Sequence, residues 1–405
     1  MTEIIDPKQL IDSLGVEGLC RTAEEYYQKI PDPTPQMAKP FSHLPETPEM
    51  LCKLGALLAG LRLGKSMHVL DFGSGPCWLS RFLNQLQCST VSVDPSATAL
   101  NLGKKLFDKL PILGNLVQPP QFILFDGHRI DIESESVDRI ICFDVFHHVP
   151  NQREVLEEFF RVLKPGGIAG FSEPGLNHSG APVSQYEMKN YNVLENDIDL
   201  REIKLISEEI GFTDLYLKLI DAPDRDLPYQ EFLGICFESR WWKRLTRHLA
   251  WQKIISHLAH SMRQSNVFFL VKGTYVADSR SHSGLQHHIE TPKTHFVCQA
   301  KESIELKLTI RNTGSAKWLH SNIQDIGVTN IGLHLYDQDF NLVELDFLRH
   351  GFQEDIVPGQ EVIQTVSLSL TQPGHYHIGV DLVSEYIGWF EQFGSVPVAL
   401  EVIVE

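Results

Sequence analysis

Positive charge is scarce in this 405-residue chain. Lys and Arg number 35 against 52 Asp and Glu, a net charge of −17. Such a surface repels polyanions at long range, so nucleic acid is not an expected partner. No apolar run reaches the ~18 residues that a membrane span needs. The opening MTEIIDPKQL lacks the charged-then-apolar order of a secretory signal. The seven cysteines, at 20, 52, 77, 88, 142, 236 and 298, include no Cys-x-x-Cys pair. Without a disulfide framework or a zinc spacing, they read as reduced thiols of a cytoplasmic protein, and no metal site is expected. What is present is an ordinary globular composition, 42% hydrophobic and 21% charged. The length suggests two domains.

Residues 1–47 are polar and rich in proline, which predicts an N-terminal arm with a short helix. Leucines 51, 54, 57, 58 and 61 have helical spacing, closed by Gly64. Strand patterns follow at 67–72, 90–94, 121–125, 138–143, 167–172, 213–220 and 266–272. Helical patterns lie between them, such as 151–167, with Asn151 as N-cap and Pro165-Gly166-Gly167 as its stop. The alternation predicts an α/β domain over 48–273, with a parallel sheet covered by helices on both faces. Beyond a polar linker at 274–289 the period changes to two. Ile304, Leu306, Leu308 and Ile310 share one face, and Glu305, Lys307, Thr309 and Arg311 the other. Similar runs at 331–336, 361–370, 375–383 and 396–404 make 290–405 an all-β sandwich.

The stretch VLDFGSGPCW (69–78) puts a glycine turn at the end of the first strand. A dinucleotide fingerprint requires Gly-x-Gly-x-x-Gly, but its third glycine position holds Trp78. A phosphate loop requires a closing Gly-Lys-Ser/Thr, which is missing. Asp71 at the strand end would repel a phosphate and suits an amine or other cation. A ligand carrying an ammonium, a sulfonium and an adenosine fits better. Asp94, ending VSVD, can accept hydrogen bonds from both ribose hydroxyls. Asp126, in FILFDG, can accept from an adenine amino group. Open parallel sheets bind ligands where such strand ends meet.

These motifs resemble those of class I S-adenosylmethionine-dependent methyltransferases. VLDFGSG resembles that family's first motif and VSVDPS its second. FDG resembles its adenine site, DRIICFDVFHHV its fourth motif and VLKPGG the turn after it. The resemblance covers 67 to about 273. It implies a Rossmann-like seven-stranded sheet and S-adenosylmethionine as cofactor. It implies the methionine end at Asp71, Gly73, Ser74 and Gly75, and the ribose at Asp94 and Pro95. Asp126 and Gly127 would hold the adenine, with Phe143 beside the cofactor. One departure is Cys77, where many members have a third glycine.

Methyl transfer to an alcohol needs a general base. His147 and His148, after the fourth strand, have the right side-chain chemistry. Glu173 and His178, after the fifth, are candidates to bind substrate hydroxyls or to act as the base. An insertion at 222–265 predicts a helical lid. Its basic, Trp-rich part at 240–263 admits three readings: core packing, an anionic substrate, or contact with an anionic membrane surface. The C-terminal region resembles immunoglobulin-like modules that accompany bacterial polysaccharide-biosynthesis enzymes. Its Trp318, Tyr386, Trp389 and Phe390 either stack on a sugar or fill the sandwich core. The expected function is O-methylation of a sugar or glycan intermediate, nucleotide-linked or lipid-linked. The alternatives are a methyltransferase of a small non-sugar metabolite and a non-catalytic cofactor-binding scaffold.

Overall fold

The computed structural model describes residues 4–114, 117–220, 229, 232–233 and 244–405. The chain divides into two units, Met1–Leu63 with Met67–Tyr275, and Gly64–Ser66 with Val276–Glu405. Seven strands form the sheet of the first unit: β1 (His68–Phe72), β2 (Ser89–Asp94), β3 (Gln121–Leu124), β4 (Val137–Phe143), β5 (Leu163–Pro174), β6 (Asp214–Lys218) and β7 (Ser265–Val271). Their order is β3-β2-β1-β4-β5-β7-β6. β1 to β5 are parallel, because helical crossovers join them. β7 departs from the expected parallel pattern, running antiparallel to both β5 and β6. It begins opposite Pro174, the last residue of β5. The chain therefore enters at the C-terminal edge of the sheet and can only run back across it.

Both faces of this sheet are covered, so its central strands are buried throughout rather than alternating. Neighbours on a strand still divide between the faces. On β1, Val69 packs with Leu57 and Leu61 of α3 (Thr47–Leu61) and Leu79 and Leu83 of α4 (Trp78–Gln85). Leu70 packs on the other face with Val155 and Phe159 of α6 (Gln152–Val162). Each such side chain contributes about 1.5–3 kcal/mol when fully buried. The helix expected over 151–167 stops at Val162, and residues 163–167 open β5 instead. Pro165 explains this, since the residue before a proline avoids helical backbone. Asn151 occupies the N-cap but does not cap; its Nδ2 donates to Gly127 O at 2.9 Å.

The N-terminal stretch is more ordered than an arm. It forms α1 (Pro7–Lys29), capped by Asp6 and broken at Gly15, followed by the short α2 (Thr34–Met37). α5 (Ala97–Lys109), α7 (Pro182–Tyr191), α8 (Leu200–Ile210) and α9 (Arg244–Gln264) complete the unit. Part of the predicted lid at 222–265, including Arg240, Trp241, Trp242 and Lys243, lies outside the described residues; α9 is its longest described part. Trp251 and Ile255 on α9 are exposed. Among the described residues, no helix is long and apolar enough to cross a membrane.

The second unit is a β-sandwich. One sheet has the order β13-β10-β8, from β8 (His287–Glu290), β10 (Ser303–Asn312) and β13 (Glu361–Ser369). The other has the order β12-β11-β14-β16-β9, with β15 (Gly388–Trp389) added to β14. Its strands are β9 (His295–Cys298), β11 (Thr329–Asp337), β12 (Leu342–Gly351), β14 (Gly374–Ser384) and β16 (Val398–Val404). β8 starts inside the stretch read as linker, which corrects that boundary. Ile304, Leu306, Leu308 and Ile310 all enter one core with Trp318 and Phe390. Trp318, Trp389 and Phe390 are buried, so they do not offer the sugar platform considered above; Tyr386 is exposed. The six described cysteines, all but Cys236, form no disulfide with one another.

The period-two reading predicts unequal costs along β10. Leu308→Ala should destabilise the second unit by about 2–5 kcal/mol, and Glu305→Ala by no more than about 0.5 kcal/mol. Urea unfolding followed by the fluorescence of Trp318 and Trp389 would measure both. Equal losses would contradict the inward assignment of Leu308.

Candidate functional site

The strand order reverses between β1 and β4, and the C-terminal ends of these strands open the crevice where such sheets bind ligands. The glycine turn after β1 lines it. Gly73 N and Ser74 N both donate to Val93 O, which folds the turn over β2. Gly73 and Gly75 take φ of +65° and +50°. A Cβ on Gly73 would lie 1.8 Å from Val145 Cγ2, and one on Gly75 2.6 Å from the Tyr27 hydroxyl. Only glycine fits either position. Cys77 also has positive φ, at +57°. Its left-handed backbone, costing about 1–2 kcal/mol, is where a third glycine would be unstrained. Gly103 makes room for the thiol: a Cβ there would lie 2.4 Å from Cys77 Sγ.

The three strand-end acids do not play equal parts. Asp94 faces the cavity. Its Oδ2 accepts from Gly75 N at 2.7 Å and its Oδ1 from Ser96 N at 2.8 Å. Each oxygen keeps a further lone pair for a ligand hydroxyl. Burial pushes its pKa up to about 6. Asp71 sits behind the turn, where its Oδ2 accepts from the Ser80 hydroxyl at 2.6 Å. Burial raises it to about 7, against that hydrogen bond. Asp126 is exposed and its Oδ1 accepts from the amides of His128 and Arg129, a local turn that lowers its pKa. Its neighbours Phe125 and Gly127 line the cavity, as does Pro95. Phe143 packs edge-on against Trp78, ring centroids 5.6 Å apart, away from the lining.

Helix α1 roofs the crevice, a role that its polar sequence did not disclose. Val16, Leu19, Cys20, Ala23, Tyr26 and Tyr27 face a cavity of about 340 Å³. Small-ligand pockets span about 300–1,000 Å³. Glu24 fastens this roof to the start of α5. Its Oε2 accepts from Ser96 Oγ and Thr98 N, and its Oε1 from Thr98 Oγ1 at 2.6 Å. Burial opposes its charge, but these donors outweigh it and hold the pKa down at about 2.

The opposite wall is built around Glu173, on β5 and fully buried. It accepts from the amides of Val145, Phe146 and His147 and lies 2.7 Å from His147 Nδ1. The expectation that Glu173 binds substrate is therefore corrected: it shapes the turn after β4. His147 is buried behind the wall, while His148 lines the cavity. His148 Nδ1 donates to Leu194 O at 2.5 Å. That bond puts the proton on Nδ1 and leaves Nε2 as an acceptor. Burial depresses both histidines to about 4, so both are neutral at pH 7. His178 Nε2 bonds to Glu195 Oε2 at 2.6 Å. Asp144 and Glu195 also line the cavity, though neither was singled out in the sequence. Asp144 had a signal, its place at the tip of β4; Glu195 lies in a segment with no motif.

A family model described as a methyltransferase domain matches residues 70–171, from β1 into β5. The ubiquinone/menaquinone biosynthesis C-methyltransferase of Coxiella burnetii is 31% identical over 121 residues, 28% of this chain and 47% of that protein. The mitochondrial ubiquinone biosynthesis O-methyltransferase of Mus musculus is 31% identical over 103 residues, 25% of this chain and 27% of that one. The chain thus spans less than half the length of these curated relatives. Among solved structures, Haemonchus contortus phosphoethanolamine N-methyltransferase 2 with S-adenosyl-L-methionine is 15% identical with a TM-score of 0.39. That alignment covers 67% of this chain and 60% of the other. Residues 70–171 are a methyltransferase domain, and S-adenosylmethionine is the cofactor of such a domain. The residues present fit it: Gly73, Asp94 and Pro95 line a cavity of ligand size, and Asp94 offers lone pairs to its ribose.

Asp94 and Asp126 should therefore behave differently. Asp94→Ala should weaken S-adenosylhomocysteine by roughly 1–3 kcal/mol, read by calorimetry, and Asp126→Ala should leave the affinity within about twofold. The reverse ranking would place the nucleoside elsewhere.

Proposed function

We propose that this chain is an S-adenosylmethionine-dependent methyltransferase that O-methylates a hydroxyl of a sugar or glycan intermediate. The carrying observation is one cavity with two chemically distinct walls. The glycine turn and Asp94 form the first; His148, with its free acceptor nitrogen, forms the second. The cofactor supplies an activated methyl group. The chain contributes enclosure under α1, orientation through Asp94, and a place for the acceptor's proton at His148 Nε2. Glu195 Oε1, 3.7 Å from His148 Nδ1, stabilises the imidazolium that results. Gln36, Lys39, Asp144 and Glu187 also line the cavity, and this polar surround supports a polyhydroxylated acceptor. The exposed Trp251 and Ile255 of α9 support contact of 240–263 with a membrane surface, as a lipid-linked acceptor would require.

The test is incubation with labelled cofactor and a panel of nucleotide sugars, glycolipids and hydroxylated non-sugar metabolites, read by mass spectrometry. Label on a sugar oxygen is expected; label on a non-sugar metabolite, or none, would overturn the acceptor assignment. His148→Ala should lower kcat by roughly 10²–10⁴-fold. Because burial holds His148 near 4, and a base must be deprotonated, its limb of the pH profile should fall only as the pH drops through about 4. An acid limb near 6.5 would point to another base.

A further inference from the structure

Beside the cavity, three side chains from three segments meet. His147 comes from the turn after β4, His178 from the loop after β5, and Glu195 from between α7 and α8. One ligand atom from each lies within 4.8 Å of the other two. Glu195 Oε2 is 2.6 Å from His178 Nε2 and 3.8 Å from His147 Nε2. Hydrogen bonding already explains the first contact. It does not explain the second, nor why three titratable groups converge here.

We propose that His147, His178 and Glu195 hold one divalent transition-metal ion at the acceptor end of the cavity. The site's existence stands on its own geometry; its role in activating the acceptor rests on the methyltransferase reading. Three features argue for it. First, Glu173 accepts from three amides, so the contact with His147 Nδ1 is a further donation to the same carboxylate. The proton is thereby fixed on Nδ1 and the Nε2 lone pair is aimed at Glu195. A carboxylate behind a histidine is the arrangement that orients metal-binding imidazoles. Second, two nearly dry carboxylates, at 0% and 8% side-chain exposure, flank His147. Among the described residues, the basic side chains within 4 Å of them are the imidazoles of His147, His148 and His178, rather than Lys or Arg. A cation at the centre would offset this buried negative charge. Third, Glu195 also lines the cavity, so an ion bonded to it would sit where an acceptor oxygen can complete its shell.

Two imidazoles and one carboxylate suit Zn²⁺, Mn²⁺, Fe²⁺ or Co²⁺ better than Mg²⁺ or Ca²⁺, which prefer all-oxygen sets. Such an ion would acidify a bound acceptor hydroxyl. The hydroxyl proton then passes to His148 Nε2.

The test is a titration of chelator-treated protein with Co²⁺, followed by visible absorption and calorimetry. One tight ion per chain is expected. His178→Ala and Glu195→Gln should each weaken it by at least roughly 100-fold, beyond the ~10–100-fold of an outer-shell loss. X-ray absorption on the wild-type cobalt protein should report two imidazole nitrogens, a reading that needs no variant to fold. Binding equally weak in the wild type and both variants would overturn the site, as would a coordination shell without imidazole. S-Adenosylhomocysteine is titrated in parallel. Its failure to bind alongside tight Co²⁺ would sink the methyltransferase reading and leave the metal site standing; the opposite pattern would do the reverse.

Discussion

The cavity's second wall depends on one buried carboxylate. Glu173 stands at the end of β5 with no exposure to solvent. An unpaired ionised group there would cost several kcal/mol, so its neighbours must turn their donors inward. The amides of Val145, Phe146 and His147 do so, and the His147 ring follows. The consequence is a single tight turn after β4, entered through Asp144 in the left-handed region at φ +51°. That turn sends His147 into the protein and His148 to the cavity. Burial raises the Glu173 carboxyl to about 7, against the pull of these donors.

The first wall uses the same device with a different purpose. Asp94 also gathers amides, those of Gly75 and Ser96, but remains at the cavity surface. Its two hydrogen bonds leave it capacity for a ligand, whereas Glu173 is committed to the chain. Glu24 adds the third instance, binding α1 to the start of α5. Three acids thus help to build a partly covered cavity from the ends of parallel strands, a glycine turn and an N-terminal helix. Strand pairing alone would have left an open crevice.

Much of this was legible in the residues. The glycine turn, Asp94, Gly127 and the strands of both units lie near where their patterns predict, because burial on one or both faces of a sheet leaves a direct periodic trace. The exceptions have separate causes. Residues 163–167 look like a helix stop and are the start of β5, since a Pro-Gly-Gly run suits an irregular strand as well as a turn. β8, β9 and β12 escaped notice because two are four residues long and β12 is an exposed edge with little alternation. Helix α1 looked like a polar arm because the face it buries is the roof of a cavity, where Tyr, Cys and Thr are as suitable as Leu.

The sequence by itself determined the two-unit plan, the glycine turn and the acid at the tip of β2, because these follow from local backbone geometry and period. Tertiary structure alone decided which groups meet. It turned Asp126 outward, hid Asp71 behind Ser80, made Glu173 a scaffold and brought Glu195 to three histidines. The reason is that a carboxylate's role depends on which amides and rings surround it after packing, and those partners come from segments distant along the chain.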